Sequence, residues 1–528
     1  MKAVHTVGFG LLCFSAAQTS EAQFVHTLNG GSGFGWAVSD LSDLDADGVT
    51  DLAIASSTGS GNAGSVSLYS GRSGLLLRTL NSSASRAGYS VADAGDVNGD
   101  GLPDVLTGNP NADGRNGAAE LFSGATGQSL LQLTAHGPLQ SFGAAVSGAG
   151  DHNGDGKADL LIGAPGGMGR AFLVNGADGI PIRQLDAPAA STRFGAGVAS
   201  VTDLNGDGKN ELLVSAPGEG AGAVYLISST DFSVIRRMDG DPGGVEFGTY
   251  FVADVGDING DQKPDIYVGD YAFGGTQGRA YVFSGADGSR LHRFSGVGGE
   301  GMGPGRGARD VDGDGRNDIV VGSYTFSSAG LNGRGRISVF SGRTGEALAR
   351  YEGPIAGGNF GFDAIGIGDA NNDGKFDFLV GAQPNSRAYV VAGTTPRAAA
   401  PTFSIGAGMT GAWFDPAQSG HGLFVEILPE NRILAWWFSF DAQGNQAWFG
   451  GVGTYSGNTA TIEFTRTQGG RFIPNFNSAN ITNPRWGTVV MTFDNCSSGR
   501  INFSAEAGFG VGSMPLSRLT APLGLVCQ

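Results

Sequence analysis

A nine-residue pattern, DxDxDGxxD or its Asn-bearing variant, recurs seven times in this chain, beginning at Asp43, Asp96, Asp151, Asp203, Asp257, Asp310 and Asp369. The intervals are 53, 55, 52, 54, 53 and 59 residues. A fixed period of this size means an array of like units, each too small to bury its apolar face alone. Positions 1, 3, 5 and 9 of each copy carry side-chain oxygens. The sets are Asp43, Asp45, Asp47, Asp51; Asp96, Asn98, Asp100, Asp104; Asp151, Asn153, Asp155, Asp159; and Asp203, Asn205, Asp207, Glu211. The last three are Asp257, Asn259, Asp261, Asp265; Asp310, Asp312, Asp314, Asp318; and Asp369, Asn371, Asp373, Asp377. Oxygens at every second residue let a tight loop turn its ligands onto one hard cation, and glycine at position 6 permits the positive-φ bend. So many oxygens favour calcium over magnesium, which prefers tighter octahedral sites with retained water. The expectation is up to seven Ca2+ ions.

Other readings of the pattern fare worse. An EF-hand needs an acidic residue at position 12 and flanking helices, but the first three copies place Ile54, Thr107 and Ile162 there. Nine-residue β-roll repeats do not space their loops some 54 residues apart. A metal-free turn, with Asp and Asn capping backbone groups, is the bland alternative.

The loops hold 23 of the 49 acidic residues. Seven divalent cations would bring the formal charge of −17 to −3. The acidity is therefore mostly loop chemistry, and it argues against nucleic acid as a partner.

Between loops the grammar is β. In the third repeat, Phe142–Val146 opens as a short apolar strand and Leu160–Pro165 forms a second. Arg170–Val174 is a third and Pro181–Leu185 a more polar fourth. Four strands per unit, seven times over, predicts an all-β fold: a seven-bladed β-propeller over residues 23–395 with four-stranded blades. The second strands are the most apolar and should lie deep; the fourth should lie outermost. The seventh repeat stops at Gly393 without a good fourth strand, while Phe24-Val-His-Thr-Leu28 reads like Leu76-Leu-Arg-Thr-Leu80. The N-terminal strand should therefore close the last blade and remove open edges.

The Phe-Gly openings (Phe34-Gly35, Phe194-Gly195, Phe247-Gly248, Phe360-Gly361), the acidic loop and the Gly-Ala-Pro endings resemble FG-GAP repeats of the integrin α-subunit propeller, which secreted bacterial proteins share. The resemblance covers about 370 residues. It implies calcium in the loop between the first two strands of a blade and a ligand on the opposite face of the disc. That face would include Pro138–Ser141, Gly240–Glu246 and Gly296–Gly305, with Tyr271–Gly278 and Tyr324–Gly333. Departures are Ala87-Gly88 in blade 2, the glycine-rich Gly301–Gly307 in blade 6, and Gln262 at position 6 of loop 5. There is no integrin leg region, transmembrane segment or Arg-Gly-Asp tripeptide.

Lys2, the apolar Val7–Ala17 and Ser20-Glu21-Ala22 read as a signal peptide, residues 1–22, directing the protein to the exterior or cell surface, with the periplasm as another destination. Cys13 would leave with it, and Cys496 and Cys527 would pair as one disulfide worth roughly 3–4 kcal/mol. No other run approaches the length of a membrane span. Residues 396–402 read as a linker and 403–528 as a small β-sandwich or barrel that holds five of the six tryptophans. Its strands are expected at Ile433–Phe440, Gln446–Gly451, Ala460–Arg466, Thr488–Phe493 and Arg500–Ala505. Trp436 and Trp437 alternate across a strand, so at least one should be core; a sugar-stacking platform is the other reading. His421 and Glu426, near Ser419, form a possible acid–base pair, but no third catalytic group is evident. Gly296–Gly301 matches GxGxxG by chance in so glycine-rich a chain, since no βαβ unit surrounds it.

The functional expectation is a non-catalytic adhesion or recognition module for an extracellular protein or glycan. The alternatives are an accessory to a secreted hydrolase or carbohydrate-binding protein, with activity in 403–528, and a purely structural surface component. Oligomeric state is not legible.

Overall fold

The computed structural model describes residues 19–527 apart from 58–63, 83–86, 135–139, 189–192, 395–404, 417, 419, 441–443, 471–473, 476, 494, 506–508 and 523–526. Most of the expected signal peptide, the 396–402 linker, Ser419 and residues 138–139 lie outside these. The chain divides at residue 400 into two compact units.

In the first unit each of the first six repeats places its four strands as an antiparallel sheet in sequence order, blade 3 running Val146–Gly150, Asp159–Ala164, Arg170–Val174 and Pro181–Asp186. Seven sheets form the propeller. All seven second strands are buried along their whole length. The fourth strands are the outer edges. Six of them bury a single residue, as Leu80 and Leu185 do, and present the rest to solvent. Strand depth thus follows apolar content, as burial of apolar surface requires.

Ring closure is as the sequence implied. Phe24–Asn29 pairs antiparallel with Arg387–Val391 and completes blade 7. Thr19–Glu21, inside the expected leader, adds an unanticipated fifth strand, pairing parallel with the outer strand of blade 6, Ala347–Glu352.

The Phe-Gly and Gly-Ala-Pro signatures are two halves of one contact between neighbouring blades. The carbonyl of Gly195 would stand 2.0 Å from a Cβ at Gly163 of the preceding blade. Gly361 relates to Gly322 in the same way, also at 2.0 Å, and Gly35 closes the ring on Gly381 at 2.4 Å. Only glycine lets the backbones approach this closely. The preceding Phe is buried against an aromatic of its own blade's third strand, Phe194 on Tyr225 and Phe360 on Tyr389.

Two expectations need correction. The first strand of the third repeat starts at Val146; Phe142 lies in the turn before it, where its ring is buried between blades. In blade 6, Met302-Gly303 fills the Phe-Gly place: Met302 bridges Gly278 as Phe360 bridges Gly335. Methionine, unbranched and adaptable, fills the volume left by Phe.

The second unit is a closed barrel of eight antiparallel strands. The five expected strands are present with shifted ends. Three more, Gly411–Phe414, Gly422–Leu428 and Gly510–Arg518, complete the wall, and the first pairs with the last. Trp413, Trp437 and Trp486 lie in its core; Trp436 faces out.

Candidate cation loops and an aromatic-rimmed cavity

Every cation loop is folded by its own carboxylates. In loop 1, Asp43 accepts from the N–H groups of Asp47 (3.0 Å) and Gly48 (2.7 Å). Positions 4 and 6 take positive φ: Gly154 and Gly156 in loop 3, Ala46 and Gly48 in loop 1. Gln262 does the same at φ 65 and donates its N–H to Asp257 at 2.9 Å, so loop 5 closes like the others despite lacking the glycine.

The position-9 carboxylate is buried in all seven loops. Asp318 accepts from Val311 N (2.7 Å) and Asp312 N (3.2 Å) within the loop, and from Gly342 N (2.9 Å) in the turn after the third strand. It therefore staples the loop to the blade. Burial pushes these acids up: Asp51, Asp104 and Asp377 to about 6, Asp265 and Asp318 to about 7. Like charge at position 5 adds to the burial effect at Asp104, Asp265 and Asp377, and like charge at position 3, Asp45 or Asp312, adds to it at Asp51 and Asp318. Position 7 ties loop to loop: Lys209 Nζ donates to the His152 carbonyl at 2.6 Å, and Arg316 pairs with Asp257 at 2.9 Å. His152 itself is turned into the blade, its Nε2 at 2.8 Å from the Ala149 carbonyl.

The donor sets fit a hard cation. In loops 1, 4 and 6, carboxylate oxygens of Asp43, Asp45 and Asp51, of Asp203, Asp207 and Glu211, and of Asp310, Asp312 and Asp318 lie within 4.8 Å of one another. Asp310 Oδ1 is buried with no hydrogen-bond partner. In the Asn-bearing loops the amide NH2 sits among the acids; Asn153 Nδ2 donates to Asp155 (3.0 Å) and Asp159 (3.4 Å). Turning that amide over presents its oxygen at the same place.

First strands run from the opposite face toward these loops and line a central cavity of about 550 Å³. Its mouth is rimmed by a closed circuit of aromatic contacts. Trp36 meets Tyr89, Tyr89 meets Tyr250, and Phe251, Tyr271, Tyr324 and Phe362 lead back to Trp36, with ring centroids 5.0–6.4 Å apart. The Tyr89 and Tyr250 hydroxyls are 2.7 Å apart, spanning from blade 2 to blade 5. The alanines and valines of blades 3 and 4, such as Ala145 and Val198, leave that span open. The cavity wall also carries Asp40, Asp93, Asp254 and Asp363 with Arg306. They couple neighbouring blades: Asp254 accepts from Thr202 N and Oγ1, and Asp363 accepts from Val38 N and pairs with Arg306 at 2.6 Å. Burial raises Asp40 and Asp93.

The FG-GAP repeat family model matches residues 142–179 and 194–227, and the FG-GAP-like repeat model matches 43–107 and 310–380. Integrin alpha-PS5 of Drosophila melanogaster is 40% identical over 157 residues, covering 26% of this chain and 15% of that one. Integrin alpha-V of Gallus gallus is 32% identical over 211 residues, covering 35% and 20%. The first unit is an integrin-α-like FG-GAP β-propeller. The match spans no more than a fifth of either relative's length.

The FG-GAP propeller brings together what the sequence placed in each loop. It also gathers the aromatic rim, which was missed. One signal was present: the residue after Phe-Gly or its equivalent is Trp36, Tyr89 or Phe362 in three repeats. Of the expected face segments, Tyr271 and Tyr324 line the mouth. Gly240–Glu246 is stapled by Asp241 to Arg279 (2.7 Å) and Arg290 (2.6 Å).

In the barrel, Cys496 and Cys527 are joined. His421 and Glu426 do not form a pair. His421 Nδ1 is 2.8 Å from Ser439 Oγ, and Glu426 stands exposed in the register opposite Leu434. Among the described residues no helix is long and apolar enough to cross a membrane.

Proposed function

We propose that this protein is an exported, calcium-binding, non-catalytic adhesion or recognition module whose propeller meets an extracellular protein or glycan at the face opposite its cation loops. The observation that carries the reading is the closed aromatic rim over the central cavity. Concave, aromatic-lined sites with a few polar groups are where ligands bind on rigid scaffolds. The likeness to integrin α chains supports an adhesive role.

Calcium would be held by positions 1, 3, 5 and 9 of the seven loops, Asp43 through Asp377, with Glu211 in loop 4. It would fix one face of the disc and leave the other free to vary. Extracellular calcium modules bind at about 10⁻⁴–10⁻³ M, which suits constant occupancy outside a cell.

The test is binding of the full chain to an array of extracellular-matrix proteins and glycans in millimolar calcium, repeated with EDTA and with Trp36→Ala. Calcium-dependent capture that Trp36→Ala weakens is expected. Absence of capture in calcium, or capture indifferent to Trp36→Ala, would sink the reading.

A further inference from the structure

Outside the propeller, one surface stands apart chemically. Among the described residues, every exposed large aromatic except Tyr250 lies on the outer wall of the barrel: Phe424, Trp436, Phe438, Phe440 and Trp448. They belong to three consecutive strands, Gly422–Leu428, Arg432–Phe440 and Gln446–Ser456. Strand alternation puts them there. Leu423, Val425, Ala435, Trp437, Ala447 and Phe449 fill the core, so their neighbours must point out.

The register makes the wall a continuous platform. Phe424 pairs with Trp436, Trp436 with Gly450, and Phe438 with Trp448. A Cβ at Gly450 would stand 2.4–2.8 Å from three atoms of the Trp436 six-membered ring. The indole therefore lies against the bare backbone, with its other side outward. Trp448, 60% exposed, meets Phe438 edge to face at 5.7 Å. Neighbouring strands are about 4.8 Å apart, so these rings form a ladder across the wall.

Charge narrows the occupant. Seven acidic residues against six arginines and no lysine leave residues 401–528 at −1, whereas the whole chain carries −17. Without a basic fringe the wall does not suit an anionic membrane or an acidic polymer. The remaining strands expose Thr461, Glu463, Arg500, Asn502 and Ser513, so lipid cannot surround the barrel. A contiguous exposed patch of this kind marks an interaction site. The rings are open-faced, with Val452 and the half-buried Leu434 as aliphatic neighbours beside Trp436 and Gly450, which matches the flat C–H faces of successive pyranose units.

We propose that the outer aromatic wall of the barrel is a binding platform for an uncharged polysaccharide, acting independently of the propeller's calcium and of its aromatic rim. Trp448 and Trp436 are the principal stacking residues.

The full chain, in calcium, is mixed with microcrystalline cellulose, with chitin and with insoluble β-1,3-glucan, and depletion from solution is measured. Retention on at least one polymer is expected, unchanged in 1 M NaCl and competed by its soluble oligosaccharide. Trp448→Ala should weaken it about tenfold, as loss of one stacked ring implies. Trp448→Phe should keep most of it, and Trp36→Ala in the propeller should leave it unchanged, which separates this site from the rim. Trp448 is exposed enough for its removal to leave the fold intact. The proposal is overturned by no retention on any of the three polymers, or by retention indifferent to both Trp448→Ala and Trp436→Ala. It is equally overturned if Trp448→Ala instead abolishes self-association in sedimentation velocity or binding to phosphatidylcholine vesicles.

Discussion

Arg72 Nε stands 3.5 Å from Asp47 Oδ2, and Arg343 holds the same relation to Asp314 at 3.9 Å. Both arginines directly follow the glycine of the turn after the third strand. They occur only in blades 1 and 6, whose loops carry aspartate at position 3 (Asp45 and Asp312) where the other five carry asparagine. The corresponding residues elsewhere are Ala125, Ala177, Thr230, Ala286 and Thr394. An extra carboxylate in the loop is thus matched by a guanidinium beside it.

A cation in loop 1 would feel that guanidinium as a like charge. Arg72→Ala should therefore tighten calcium binding at this loop, by up to about fivefold for a partly exposed pair. The same change should slightly lower the melting temperature in EDTA, where the four acids lose their partner. Calorimetric calcium titration and thermal unfolding check the two signs; weaker calcium binding in the variant would refute the account.

Glu211 and Ser229 form a second matched pair. In six blades the position-9 aspartate faces a glycine with no room for a Cβ, as at Gly342, where one would lie 1.9 Å from the Asn317 carbonyl. Blade 4 has Ser229 there, its Oγ buried without a partner. The longer Glu211 keeps its carboxylate on Leu204 N and Asn205 Nδ2, both at 2.6 Å. Glu211→Asp alone should cost on the order of 1 kcal/mol, and less when combined with Ser229→Gly. A double-mutant cycle by denaturant unfolding measures the coupling; strict additivity would contradict it.

The raised position-9 acids give the cation-free protein an unusual pH response. Folding binds extra protons between the ordinary carboxylate range near 4 and the shifted values of about 6 to 7. Stability in EDTA should therefore rise as the pH falls from 8 toward 5. In saturating calcium the sign reverses, because protons then compete with the ion for the same oxygens. Melting temperatures across pH in both conditions decide it.

Backbone approach between blades should be the least forgiving feature. Gly195→Ala places a Cβ 2.0 Å from the Arg170 carbonyl at φ 91 and should cost about 2–5 kcal/mol. Gly206→Ala, at φ 84 with open space around it, should cost only about 1 kcal/mol. Ala46 already occupies the same loop position in blade 1. Equal melting temperatures for the two variants would show that blade contact does not set this glycine.

The repeat alone determined the seven loops, the four strands of each blade, their order by depth and the closing role of Phe24–Asn29. Each of these follows from interactions a few residues apart, or from like segments doing like things, so periodicity carries them. The aromatic rim was a matter for tertiary structure, because Trp36 and Phe362 become neighbours at 5.0 Å only when the ring closes. So was the aromatic wall, since which face of a strand looks outward depends on which neighbours close the barrel, and Gly411–Phe414 and Gly510–Arg518 carry no strong strand signal. His421 and Glu426 show the converse. They are close in sequence, but an extended strand advances about 3.3 Å per residue, so it carries them apart and gives His421 to Ser439 instead.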